Sequence, residues 1–187
     1  MEIIHAIWEQ RNLKVNCNEV IIEMTDTIED VKESTSMFET EYTVVKVPSV
    51  LTDISFYIQS QGYIFVETMT SCFNNASLPQ LSKTQLKIVN SVSYSIMNSD
   101  DKKYLFDQIR DNLFKDDRVS VDSYFTKKES NNRYINWIND ELDKGSKLYK
   151  LNYKNELIGF FLLKNSERNF NFSLLGGIFL EYQNFGF

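Results

Sequence analysis

The last part of the chain contains three strand-like segments separated by short turns, and this run constrains the fold most. The segments are Lys147 to Tyr153, Leu157 to Lys164 and Phe170 to Leu180. The turns between them, Asn155-Glu156 and Ser166 to Arg168, are short and polar, which is typical of antiparallel neighbours. The sequence therefore predicts an antiparallel three-stranded meander in this region.

A strand and two helices are predicted ahead of the meander. Residues 87–97 mostly alternate between polar and apolar side chains, which favours a strand. Asn98 and the acidic residues after it predict the N-terminus of a helix. A second helix is predicted from about Asp122 or Lys127 to Asp143, with Gly145 as its C-cap. Both helices carry apolar stripes that core packing explains, because a helical period reports a buried face rather than chemistry.

The first part of the chain alternates predicted strands and helices. The whole chain has only two prolines, so Pro48 is informative and predicts the start of a helix that ends near Gly62. Residues 25–40 are acidic and rich in Ser and Thr, and they are predicted as a loop or short helix. Strands are predicted at Glu19 to Met24, Tyr42 to Val47 and Tyr63 to Phe73.

The polar, turn-rich stretch Asn74 to Gln80 predicts a link between two domains. The first would be a small α/β domain over residues 1–75. The second, over residues 76–187, would hold the strand, the two helices and the meander. The predicted fold class is α+β.

Composition excludes several classes of function. The net charge is −6 and no cluster of Lys or Arg occurs, so no nucleic-acid partner is expected. Two distant cysteines and one histidine predict no metal site. The N-terminal residues lack a signal pattern and no apolar run has the length of a membrane span. We therefore expect a cytoplasmic protein with reduced thiols and no membrane partner.

The order of elements and two stretches of sequence resemble the GNAT superfamily of N-acetyltransferases. Residues 155–164 (NELIGFFLLK) are similar to the second and third strands of that fold, and residues 172–186 (FSLLGGIFLEYQNFG) to the fourth strand and the acyl-CoA loop after it. The loop signature of the family is Gln or Arg, two variable residues, Gly, one variable residue, then Gly or Ala. Gln183 and Gly186 match its first and fourth positions, and the sixth position lies beyond Phe187.

A more specific resemblance covers nearly the whole chain. The bacterial sugar-nucleotide acetyltransferases of the TDP-fucosamine acetyltransferase type carry a small α/β domain ahead of the GNAT domain. Phe114, Arg118 and Asp122 are similar to a stretch after their first helix, and Tyr134 with Trp137 to a pair on their second. This resemblance implies an acceptor that is a small-molecule primary amine, such as a nucleotide-linked amino sugar, with Arg118 and Tyr134 as substrate-binding residues.

The resemblance also implies acetyl-CoA as co-substrate. Main-chain N–H groups of the signature loop would meet the pyrophosphate, and Ile178 would pair its backbone with the pantetheine arm. An alternative for Gly176-Gly177 is a β-bulge, which is compatible with such pairing. The acyl-CoA residues implied are Gly177, Ile178, Leu180, Gln183, Asn184, Phe185, Gly186 and Phe187.

No catalytic acid can be assigned, because the tyrosine that serves this role in the family would follow the signature. Glu181 is the candidate general base, acting through water. A solvated loop carboxylate is the competing interpretation. Glu141, Asp143 and Asp122 are weaker candidates on helix surfaces. Arg118 has a competing interpretation too, as the partner of an acidic residue at a helix end.

Two main hypotheses follow for function. In the first, the chain is a fragment of an N-acetyltransferase and is inactive alone, because the acyl-CoA site is incomplete after Phe187. In the second, it is a complete non-catalytic binding or assembly module, and the exposed strand 170–180 pairs across a homodimer. A peptide- or sugar-binding domain unrelated to acyl transfer is a third alternative.

Overall fold

The computed structural model describes residues 1–38, 40–72, 80–165 and 171–184. The chain forms two compact units, Met1–Thr68 and Met69–Phe187. Of the predicted link Asn74 to Gln80, only Gln80 lies within the described residues. Helices and sheets occur in both units, and the fold class is α+β, as predicted. No helix in the described ranges is long and apolar enough to cross a membrane.

The first unit contains a three-stranded sheet and three short helices. In the sheet, β2 lies between β1 and β3, antiparallel to β1 and parallel to β3. The apolar side chains of β2 and the helices form its core, which includes Val20, Val31, Phe38 and Ile54. The elements in chain order are β1 (Glu2–His5), α1 (Ile7–Leu13), β2 (Cys17–Ile21), α2 (Ile28–Ser34), β3 (Tyr42–Lys46) and α3 (Thr52–Ser60).

Two predictions for this unit have different outcomes. The helix after Pro48 is confirmed as α3, and Gly62 follows it with φ +94°. The strand predicted at Tyr63 to Phe73 is wrong for the described residues 63–72, which form neither helix nor strand. Tyr63 is partly buried against the core of the first unit, but the other apolar side chains stay exposed, Ile64 to 84%. A strand needs a hydrogen-bonded neighbour, and none of the described strands pairs with this segment.

The second unit is a four-stranded antiparallel sheet with helices on one face. Strand order follows the chain, β4-β5-β6-β7, so β7 lies at the end of the sheet. The helices α5 and α7 pack their apolar stripes on the sheet, and the core includes Leu105, Ile109, Ile138 and Phe160. Its elements are α4 (Lys83–Ser91), β4 (Val92–Ile96), α5 (Ser99–Arg110), α6 (Arg118–Val121), α7 (Lys127–Asp143), β5 (Lys147–Tyr153), β6 (Glu156–Asn165), β7 (Asn171–Ile178) and a final 3-10 turn (Leu180–Tyr182).

The strand predicted over residues 87–97 is wrong in its first half. Residues up to Ser91 belong to α4, and β4 begins only at Val92. A capping box starts the helix, because the Ser82 hydroxyl accepts the Gln85 N–H while the Gln85 side chain accepts the Ser82 N–H. Local capping therefore outweighs the apolar alternation that continues through this stretch.

The predicted meander is confirmed. β5 runs from Lys147 to Tyr153 as predicted, and β6 and β7 pair antiparallel after it. The alternative of a bulge at Gly176-Gly177 is wrong, because the β6–β7 register shifts between Leu162 and Leu163 instead. The two glycines of β7, Gly176 and Gly177, remain in regular register.

Candidate functional site

Strand β7 presents an open edge. Its one neighbour among the described strands is β6, and its eight residues, NFSLLGGI, include no charged residue and no proline. Proteins commonly protect such edges with lysine, proline or a covering element. An unprotected edge is available to pair with an extended ligand or another strand.

The main-chain groups of Ile178 point away from β6. The Phe179 N–H donates to the Ile158 carbonyl at 2.9 Å, and Ile178 stands opposite Gly159 in the register. In an antiparallel ladder, this makes Ile178 and Gly159 a non-hydrogen-bonded pair, whose N–H and C=O groups face the outer edges. By the same alternation, Gly176 faces outward, and Gly177 faces β6.

A glycine of β6, Gly159, allows β6 and β7 to approach closely beside this edge. A Cβ added to Gly159 would overlap the Gly177 carbonyl oxygen and lie 3.2 Å from Ile178 Cα. A Cβ added to Gly177 would instead meet the rings of Phe160 and Phe114 at 3.4 and 3.8 Å, which is ordinary contact. The close backbone of β7 therefore requires glycine at position 159, whereas the surroundings of position 177 leave room for a methyl group.

The chain turns sharply after β7. Phe179 is fully buried, and its carbonyl accepts the Tyr182 N–H at 2.8 Å across the 3-10 turn. The Gln183 side chain then folds back and donates to the Ile178 carbonyl at 3.0 Å. Asn184 follows with φ +72°, a left-handed conformation that redirects the backbone. Gln183 thus occupies the outward carbonyl that the resemblance assigns to the pantetheine arm.

An open acidic cleft of about 360 Å³ lies next to this turn. Tyr104 of α5 donates to Glu181 Oε1 at 3.1 Å, and Tyr182 and Glu156 of β6 line the cleft with them. Asp101 is paired with Lys150, and the other three carboxylates of the cleft produce a negative potential that attracts ammonium groups. The cleft is lined by Asp100, Asp101, Tyr104, Glu156, Leu157, Glu181 and Tyr182.

Both tyrosines remain protonated at neutral pH. Burial, followed by the hydrogen bond and charge of Glu181, raises the pKa of Tyr104. Burial, followed by the charges of Glu181 and Glu156, raises the pKa of Tyr182. Each hydroxyl is therefore a hydrogen-bond donor over the physiological range.

Asp101, at the rim of the same cleft, stays ionised. Burial alone would raise its pKa, but the Lys150 ammonium at 2.7 Å and the Asn98 N–H at 3.0 Å outweigh burial and lower it. This ion pair is mostly buried, and it ties α5 to β5. The first turn of α5, which leads to Tyr104, is thereby fixed to the sheet.

The sequence-predicted site residues lie in several places. Ile178, Leu180, Glu181, Gln183 and Asn184 meet at the end of β7. The remaining acyl-CoA residues of the signature, Phe185, Gly186 and Phe187, lie outside the described residues.

The two predicted substrate residues lie apart from the turn in sequence and are less accessible. Tyr134 is 7% exposed and stacks on Phe114 with ring centroids 4.3 Å apart. Arg118 begins α6 and is half-buried. Glu141, the weaker base candidate, is buried and binds Lys144 and Ser146 at the end of α7, so it serves the helix terminus.

Tyr104 and Glu156 were missed by sequence reasoning. Tyr104 is separated from Glu181 by 77 residues, and no local pattern marks such a pair. Within the described ranges, no group of three or more His, Cys, Asp or Glu side chains has the arrangement to hold a metal ion. Comparisons with protein-family models, with curated proteins and with solved structures find no match to this chain.

Proposed function

We propose that this chain carries one side of the acetyl-CoA-binding site of an N-acetyltransferase of the GNAT type, which acetylates a primary amine. The observation that carries the proposal is the open edge of β7 at Ile178, followed at once by the turn to Gln183. An extended ligand with amide groups, such as pantetheine, can pair with the outward N–H and C=O of Ile178 once the Gln183 side chain moves aside.

The chemistry requires three events around the thioester. The amine nitrogen attacks the thioester carbonyl, a C–N bond forms and the C–S bond breaks, and the sulfur leaves as a thiolate that takes a proton. Glu181, at the cleft, is the proposed acceptor of the proton that the amine loses. No group within residues 1–184 is assigned as the acid for the thiolate.

The acidic cleft supports an amine as acceptor. A primary amine is cationic at neutral pH, and the three cleft carboxylates other than Asp101 attract it before it loses its proton. A nucleotide-linked amino sugar fits this proposal when its amino group enters the cleft and its phosphates stay outside, because the cleft repels phosphate.

Calorimetric titration with acetyl-CoA, together with thiol release in the presence of a panel of primary amines, tests the proposal. A dissociation constant of about 0.1–1 mM is expected for this side of the site alone. Ile178→Pro removes an N–H that points away from β6, so it is expected to abolish binding while the sheet persists. Ser173→Ala, on the same strand, is the matched control. Absence of heat at millimolar acetyl-CoA refutes the proposal.

A second candidate function is a homodimeric assembly module joined through β7. The uncharged, proline-free edge of β7 is the observation that favours it. Sedimentation velocity is expected to show a dimer, and Gly176→Pro, which removes an outward donor, is expected to give a monomer. A wild-type chain that is monomeric and does not aggregate contradicts this candidate.

A further inference from the structure

A hydrogen bond between side chains connects the turn at the end of β7 to α5. Tyr104 of α5 donates to Glu181 of the turn at 3.1 Å. Tyr182, the next residue of the turn, lines the same cleft as Glu156 at the start of β6. The turn is thereby restrained by a helix that is separate from it in sequence.

Tyr104 is itself well anchored. Its ring meets the fully buried Phe179 edge-on, with centroids 5.2 Å apart. One helical turn before it, Asp101 is bound to Lys150 of β5 at 2.7 Å. Because the ring of Tyr104 is already fixed, its hydroxyl can hold Glu181 in one orientation while Tyr104 loses little further side-chain entropy.

We propose that Tyr104 is the positioning residue for Glu181. Its hydroxyl holds the exposed Glu181 carboxylate in one orientation over the cleft, and with it the turn Leu180–Tyr182. The proposal rests on the proposed acetyl transfer, in which Glu181 takes the proton of the amine. General bases must lie within hydrogen-bond reach of the proton they accept, so an unrestrained glutamate on a surface turn would be a poor base.

The hydrogen bond is tested first, without any substrate. The protein is labelled with ring-¹³C tyrosine, and Tyr104 is assigned by the resonance that Tyr104→Phe removes. Because burial and then Glu181 raise the pKa of Tyr104, its titration midpoint is expected to fall in Glu181→Gln. Glu33→Gln, an exposed glutamate of the first unit, is the control and is expected to leave the midpoint unchanged. A midpoint that does not move in Glu181→Gln overturns the proposal.

Kinetics then test the role in catalysis. Tyr104→Phe keeps the ring on Phe179 and removes only the hydroxyl. The kcat for amine-dependent thiol release is expected to fall about tenfold, while KM for acetyl-CoA changes less than about twofold, since a general base contributes to kcat. The double variant with Glu181→Gln is expected to be no slower than Glu181→Gln alone, because the two residues act as a unit. Full additivity of the two substitutions overturns the proposal.

The acetyl-CoA experiments and the tyrosine titration distinguish failure of the proposed function from failure of the positioning role of Tyr104. A wild-type chain that gives no heat with millimolar acetyl-CoA removes the proposed function. The positioning of Glu181 by Tyr104 is then decided by the tyrosine titration alone.

Discussion

The close approach of β6 and β7 at Gly159 makes a sharp prediction about stability. The perturbation is Gly159→Ala, which adds one methyl group at a position where the nearest atoms belong to the backbone of β7. The new Cβ would overlap the Gly177 carbonyl oxygen and would lie 2.9 Å from Ile178 Cδ1 and 3.2 Å from Ile178 Cα. The Ile178 side chain can rotate away, but the carbonyl cannot move unless the strand moves.

The expected cost follows from what the strand would lose. If β7 shifts outward, the Phe179 N–H bond to Ile158 at 2.9 Å is stretched or lost, at about 1 kcal/mol for a hydrogen bond. Overpacking of a close-packed region typically costs a further 1–3 kcal/mol or so. We therefore expect Gly159→Ala to lower the free energy of unfolding of the second unit by about 3 kcal/mol.

Urea denaturation followed by tryptophan fluorescence measures this effect. The chain has two tryptophans, Trp8 in the first unit and Trp137 on α7 in the second. A Trp8→Phe background therefore makes the signal specific to the second unit. In that background, Gly159→Ala is expected to lower the urea midpoint by about 1–2 M without a change in m-value.

Gly177→Ala is the matched control, because it adds the same methyl group to the facing strand. Its Cβ would meet only the rings of Phe160 and Phe114 at ordinary contact distance. The control is expected to change stability by less than about 1 kcal/mol, with a gain if the alanine restricts the unfolded chain. If Gly159→Ala unfolds within about 0.5 M urea of the parent, the close approach of the strands and the β6–β7 register are refuted.

Three further substitutions test other contacts of the second unit by the same measurement. Asp101→Asn is expected to lower the free energy of unfolding by about 1–2 kcal/mol at pH 7. Against the effect of burial, Lys150 and the Asn98 N–H lower the pKa of Asp101, so this contribution is present above pH 4 or so and is lost as pH falls through the lowered pKa. The difference in stability between variant and parent should therefore vanish in acid. Thr126→Ala removes the N-cap of α7 and is expected to cost about 1 kcal/mol, whereas Thr126→Ser should retain most of the stability. Gly145→Ala places a side chain at φ +91° and is expected to cost about 1 kcal/mol, and a neutral result would contradict the left-handed C-cap.

The elements that the sequence predicted well are those whose signals are local. Asn98 and Asp101 form the predicted cap of α5, with each side chain accepting the other's N–H. The extent of β5 was right to the residue, because polar turns lie on both sides of it. The start of α4 also has a local signal, the capping pair Ser82 and Gln85, but the apolar alternation after it is equally typical of a strand.

The elements that the sequence missed depend on neighbours in space. The apolar stretch from Tyr63 has the composition of a strand, yet strand formation requires a partner edge that composition does not supply. The same holds for the candidate site. The N–H and C=O groups of Ile178 point outward because Ile178 stands opposite Gly159 in the register of the two strands. The positions of the turns in the sequence predict that register only approximately. The pairing of Tyr104 with Glu181 depends on how α5 packs on the sheet.

The charges around the end of β7 separate the two substrates of the proposed reaction. The cleft on the side of Tyr104 and Glu181 is acidic, so it attracts an ammonium group and repels a pyrophosphate. In the proposed reaction, the pyrophosphate is therefore expected to bind outside this cleft, and Asn184, with its left-handed backbone, begins the loop that the resemblance assigns to it. Main-chain N–H groups bind anions without lysine or arginine, so such a site is compatible with a chain whose net charge is −6. In the proposed reaction, the turn Leu180–Tyr182 therefore separates the anion from the cation, and the hydrogen bond from Tyr104 to Glu181 restrains it on the side of the acidic cleft.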